Sequence, residues 1–171
     1  MNQQMMNELK LELKKAICQH RKILIERYPD ENLYGYSLYT SDDLSAIGPV
    51  SNRMSAIKVD ANSPDYFYYK YCPDEWCDWD DYGLFDVVNR IIRSLYNEME
   101  DEEDDFYHFK QSVLKQALQA LKELSHEGWF GAQTDDRFLI VYLSDSNDEI
   151  MEVAAEELNT AKVYTDYMSL T

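Results

Sequence analysis

The residues best suited to chemistry lie in one short segment, Asp74-Glu75-Trp76-Cys77-Asp78-Trp79-Asp80-Asp81-Tyr82-Gly83. Asp78, Asp80 and Gly83 occupy the first, third and sixth places of a calcium loop. The fifth place, however, holds Tyr82. The twelfth holds Asn89, where a bidentate Glu is needed, and helical residues begin already at Leu84. Cys72 and Cys77 stand five positions apart, at the margin of zinc-ligand spacing, and no second Cys or His pair follows. They read as half-buried thiols beside a loop. No metal and no cofactor is expected.

Nucleophilic catalysis needs a base beside a Ser or Cys. The three histidines, His20, His108 and His126, each fall inside or at the end of an expected helix. His20 lies on an apolar stripe and reads as a satisfied core residue. His126 suits a helix C-terminus, where the dipole favours positive charge. No nucleophile elbow, phosphate loop or dinucleotide glycine pattern occurs. Carboxylates are so numerous that no single pair is informative. No catalytic residue is assigned, and the chain is not expected to be an enzyme.

What remains is charge. Six acids are consecutive, Glu100, Asp101, Glu102, Glu103, Asp104 and Asp105. From Pro73 to Asp105 there are 13 acids against two bases, Arg90 and Arg93, a net −11 of the chain's −17. Such density weakens the compact state by self-repulsion but creates a field that attracts cations. An exposed aromatic ringed by carboxylates can anchor a Lys- or Arg-rich surface. The expected partner surface is Asp74, Glu75, Asp78, Trp79, Asp80, Asp81 and Tyr82. The six-acid run is expected to stay solvated and to act at longer range. Trp76 reads as a core anchor, while Trp79 and Tyr82 stand open between core and contact. Neutralising Asp78, Asp80 and Asp81 together should leave stability unchanged or raise it.

The elements that must position these residues follow from periodicity. Residues 2–27 read as an amphipathic helix with Met6, Leu9, Leu13, Ile17 and Leu24 on one face. Residues 32–40 read as an aromatic strand, 41–52 as an irregular loop, and 53–59 as a second strand. The run Tyr66 to Tyr71 reads as a third strand after a turn at Asn62–Asp65. A helix follows from Leu84 to Met99, with Asp80 or Asp81 near its start. Another spans Phe106 to Leu124, capped by Gly128. Phe138 to Leu143 reads as a central strand, Glu149 to Leu158 as a helix, and Ala161 to Met168 as an edge strand. The order gives one α+β domain over residues 1–171, a mainly antiparallel sheet with helices packed on it.

Composition narrows the class. Fourteen tyrosines and three tryptophans in a 45% hydrophobic chain argue for a real core rather than acidic disorder. A charge of −17 disfavours nucleic acid and anionic membranes as direct partners. No stretch approaches the roughly 20 apolar residues of a membrane helix. The polar N-terminus lacks a secretory pattern, and three sparse cysteines suit a reducing compartment, so a cytoplasmic location is expected. A basic protein is the expected partner. A nucleic-acid mimic, an enzyme with an unrecognised site and a housekeeping scaffold are the alternatives.

Three stretches carry a family likeness: Gly35-Tyr36-Ser37-Leu38-Tyr39-Thr40 with Asp42-Asp43-Leu44, Tyr71-Cys72-Pro73-Asp74-Glu75-Trp76, and Phe85-Asp86-Val87-Val88-Asn89. With them the chain resembles the uncharacterised bacterial domain-of-unknown-function 4303 family over most of its length. The resemblance implies a small, soluble and often acidic protein, similar in character to the immunity proteins that neutralise toxins. It supplies no catalytic residue.

Overall fold

The first helix forms as its apolar spacing requires. In the computed structural model, which describes residues 3–99 and 103–170, α1 runs Gln3–Arg27 and buries Met6, Leu9, Leu13, Ile17, His20 and Leu24. The strands are β1 (Gly35–Ser41), β2 (Ile47–Asn52), β3 (Asp78–Trp79) and β4 (Phe138–Ser144). The later helices are α2 (Tyr66–Tyr71), α3 (Asp86–Asn97), α4 (Glu103–His126), α5 (Glu149–Leu158) and α6 (Ala161–Met168). The sheet order is β3-β2-β1-β4. Both β1–β2 and β2–β3 are antiparallel, and β1–β4 is parallel. The result is a single α+β domain on a mixed, mostly antiparallel sheet.

Strand register divides the residues between two faces, because side chains alternate along a strand. The inner face carries Tyr36, Leu38, Leu139, Val141 and Leu143, all buried. It lies under the helical layer, where Tyr36 meets His20 of α1 and Phe130 beyond α4. The outer face carries Gly35, Tyr39, Gly48, Val50, Trp79, Phe138 and Tyr142. One end of it is closed by Tyr71, Trp76 and Tyr167, whose rings all meet Phe138.

Local contacts satisfy ends of α4, α5 and α6. Asp148 caps α5 by accepting from Ile150 N, and Thr160 caps α6 by accepting from Val163 N. Gly128, at φ +85°, closes α4, with Trp129 N bonded to Leu124 O and Gly128 N to Ser125 O. Buried Arg137 donates to Ser125 Oγ, Gly131 O and Leu158 O, placing a cation at the C-terminal ends of α4 and α5.

Several elements differ from the expectation. The stretch read as an irregular loop contains β2, whereas residues 53–59 hold only a 3₁₀ turn at Met54–Ala56. The aromatic run Tyr66–Tyr71 is helical. Coiling brings Phe67 and Tyr71 into an i,i+4 ring pair, 5.8 Å between centroids, and aims Tyr71 at Phe138. Ala161–Met168 is also a helix, which buries Val163 and Tyr167. Finally, β4 is an edge strand, not a central one. It is apolar because both its faces are covered, and its free edge is capped by a side chain. Asn159 accepts from Leu139 N and donates to Leu139 O, each at 2.8 Å. Asn89 does the same for Ile47 of β2, at 2.8 and 3.0 Å. Among the described residues no helix is long and apolar enough to cross a membrane.

Candidate functional site

The acidic loop is pinned at one end by Trp76, which is 3% exposed. Its ring lies against Gly35, where an added Cβ would come within 2.8 Å of it. Its Nε1 donates to Lys70 O at 3.2 Å, and Tyr34 Oη donates to the same carbonyl at 2.8 Å. Trp76 is thus the core anchor expected. Three residues on, β3 pairs Trp79 with Val50, and its ring faces solvent at 40% exposure. Asp80 then organises the turn by accepting from Tyr82 N at 2.8 Å and Leu84 N at 2.7 Å. Gly83 completes it at φ +67°, a conformation that favours glycine. Tyr82 is 60% exposed.

Asp78 differs from its neighbours. It was expected on the partner surface, yet it is 4% exposed. Its carboxylate accepts from Tyr28 Oη at 2.8 Å and Arg53 Nε at 3.0 Å. The Arg53 guanidinium in turn lies 4.0 Å from the Tyr28 ring centroid. The two-residue strand turns Asp78 inward and Trp79 outward, because adjacent strand residues face opposite sides. Asp78 is therefore the buried member of an ion pair with half-buried Arg53, and its neutralisation is not expected to be harmless. Asp78 and Asp80 also serve different partners, so they do not converge as calcium ligands would. Among the described residues no three His, Cys, Asp or Glu side chains are grouped to hold a metal.

The remaining expected residues are distributed as follows. Asp74, Glu75 and Asp81 are exposed and Asp80 is half-buried. Glu100, Asp101 and Glu102 lie outside the described residues. Glu103 and Asp104 open α4, and Asp105 in its first turn is half-buried rather than fully solvated.

Register adds residues that the linear pattern did not mark. Tyr39 of β1 and Tyr142 of β4 are paired and stacked, with centroids 5.6 Å apart. Both hydroxyls donate to Asp74, at 2.6 and 2.8 Å. Trp79 packs edge-on against Tyr39 at 5.0 Å. Burial, followed by the hydrogen bond to Asp74, raises the pKa of both phenols, so they remain donors. Burial also raises the Cys72 thiol, which disfavours the reactive thiolate. His20 is pushed down to about 4 by burial and is neutral at pH 7, with Nδ1 3.2 Å from Tyr36 Oη. Beside this shelf lies a cleft of about 350 Å³, lined by Tyr39, Gly48, Trp79, Asp80, Phe85 and Asp86 among others. Alternation within 32–40 could have marked Tyr39. Tyr142 and Gly48 required the strand pairing.

Comparison with known proteins gives a family and no activity. The chain belongs to the family described as a domain of unknown function (DUF4303), whose model matches residues 13–160. No curated protein and no solved structure matches it.

Proposed function

We propose that this chain is a cytoplasmic binding protein that recognises a basic protein, acting as an antitoxin or immunity factor that blocks a toxin domain. One observation carries the reading. Trp79 and Tyr82 are exposed on a loop whose outward carboxylates include Glu75 and Asp81. Large exposed aromatics beside charge are the composition of interface hot spots. Arg27 already illustrates the contact a foreign cation would make: its guanidinium lies 5.8 Å from the Tyr82 ring centroid and donates to Tyr82 Oη at 2.9 Å. The protonated Cys72 and the neutral, buried His20 support binding rather than nucleophilic chemistry. Around this loop the overall charge of −17 would steer a cationic partner over about 8 Å at physiological salt.

The test has two stages. The chain is used to capture proteins at low salt, and each captured protein is purified. Its association and dissociation rates are then measured at two ionic strengths against the parent chain, Trp79→Ala and Asp81→Asn. The reading expects a basic protein whose association slows as salt rises, and whose dissociation quickens at least tenfold with Trp79→Ala, a hot-spot-sized effect. A partner that is acidic, or indifferent to both salt and Trp79, sinks the reading.

A further inference from the structure

The cleft beside Trp79 lies over position 48, which has no side chain. Gly48 sits in β2 opposite Tyr39, on the outer face that also carries Trp79. A Cβ built at Gly48 meets no atom within 4 Å, although Pro49 and Val50 beside it are buried. The space left open is the cleft of about 350 Å³. That is at the small end of ligand clefts, which run from about 300 to 1,000 Å³. It fits one long side chain and is too small for a dinucleotide.

Its lining specifies the chemistry of the guest. Phe85 is buried and gives an apolar floor. Tyr39 and Trp79, set edge-to-face at 77°, give aromatic walls. Asp86 supplies an exposed carboxylate at the rim, Asp80 adds negative charge although both its oxygens are bonded to Tyr82 N and Leu84 N, and among the described residues no Lys or Arg lines the cleft. The polar amide of Asn89 is already committed to Ile47, so it does not compete for a guest. Aromatic walls with a carboxylate rim favour a cation on an apolar stem, through cation–π attraction and charge pairing.

We propose that the cleft over Gly48 is the receptor for a lysine side chain of the basic partner, its methylene stem on Phe85 and its ammonium between Trp79 and Asp86. This rests on the binding reading above and specifies its anchor.

The full chain, labelled with ¹⁵N, can be titrated with Nα-acetyl-lysine methylamide and with the uncharged Nα-acetyl-norleucine methylamide. The Trp79 indole N–H and the Gly48 amide report occupancy. The lysine probe should saturate in the millimolar range and bind about tenfold more tightly than norleucine, the ratio expected of one desolvated cation–π contact. Gly48→Val places a branched side chain in the cleft without changing any charge. It should abolish binding while the rest of the spectrum stays in place. Asp86→Asn should weaken the lysine probe severalfold and leave the norleucine probe unchanged. Equal binding of the two probes, binding retained in Gly48→Val, or no saturation would each overturn the assignment. If the lysine probe fails while a basic protein still binds through Trp79, the cleft assignment falls and the binding reading survives. If the probe binds and no basic partner is found, the reading falls and the cleft stands as an ammonium site.

Discussion

The outer face of the sheet is built twice from the same two strands, with opposite results. At one end Gly35 of β1 sits beside Phe138 of β4, under Trp76, Tyr71 and Tyr167. Four residues further along both strands, Tyr39 sits beside Tyr142. Both rings there are only half-buried. The phenols instead point to Asp74, and Trp79 stands at the rim. The closed end gathers four rings and the open end three, so aromatic content alone does not separate core from site here. The difference lies in the covering elements: α2 and α6 reach the first end, and an acid-rich loop borders the second.

Truncating one ring at each end should separate the two. Phe138→Ala should lose about 3–5 kcal/mol of stability in urea unfolding, the usual cost of emptying a buried aromatic site. Tyr142→Ala should lose less than half as much. Equal losses would mean the open end is as much core as the closed one.

Acid should act on the sealed interior next. The pKa of His20 falls from 6.5 to about 4 on folding, so below pH 6.5 the unfolded chain binds the extra proton. Stability is unaffected above that pH and declines as pH falls from 6.5 to 4, by on the order of 2–3 kcal/mol. In a series of melting curves, His20→Gln should lose that part of the slope. An unchanged slope would show that His20 is not held neutral.

Within the loop, Asp78→Asn and Asp81→Asn should differ in kind. The first strips the charge from a buried partner of Arg53 and should cost about 1–3 kcal/mol. The second removes an exposed charge from a strongly acidic protein. It should stay within about 0.5 kcal/mol of the parent, on the stabilising side. Chemical denaturation of the two single variants checks both. If Asp81→Asn proves the more damaging, inside and outside have been assigned the wrong way round.

Much of this architecture was legible in the chain. Three-and-four spacing located α1, α3 and α4, the turn and cap ending at Asp148 located α5, and the unbroken run 138–143 located β4. The misses have physical causes. Gly48 and Pro49 look like a loop, yet the two-residue β3 leaves Ile47–Pro49 unpaired on that side, where a missing N–H costs nothing. Tyr66–Tyr71 has strand composition, but packing against Phe138 overrides propensity. In α6 the signal was present: Thr160 as a cap, with Val163 and Tyr167 four apart. The burial of Asp78 could not be read, because its partners Tyr28 and Arg53 are 50 and 25 residues away. The shelf of Tyr39, Tyr142 and Asp74 was hidden for the same reason, since it depends on a parallel pairing across about a hundred residues.

The two asparagines at the sheet margins bear on how the molecule behaves in a crowd. A bare strand edge is a template for another copy, and fibrils grow by adding strands to it. Asn89 and Asn159 each occupy the donor and acceptor of one edge residue with a primary amide, the same two groups an incoming strand would need. They act as dead-end monomers at a growing chain: they satisfy the edge and offer nothing onward. In each case a side chain closes a backbone pair that an incoming strand would otherwise find open. Conversion of either to aspartate, the ordinary chemical ageing of asparagine, would replace its donor with a negative charge facing a carbonyl and reopen that backbone pair.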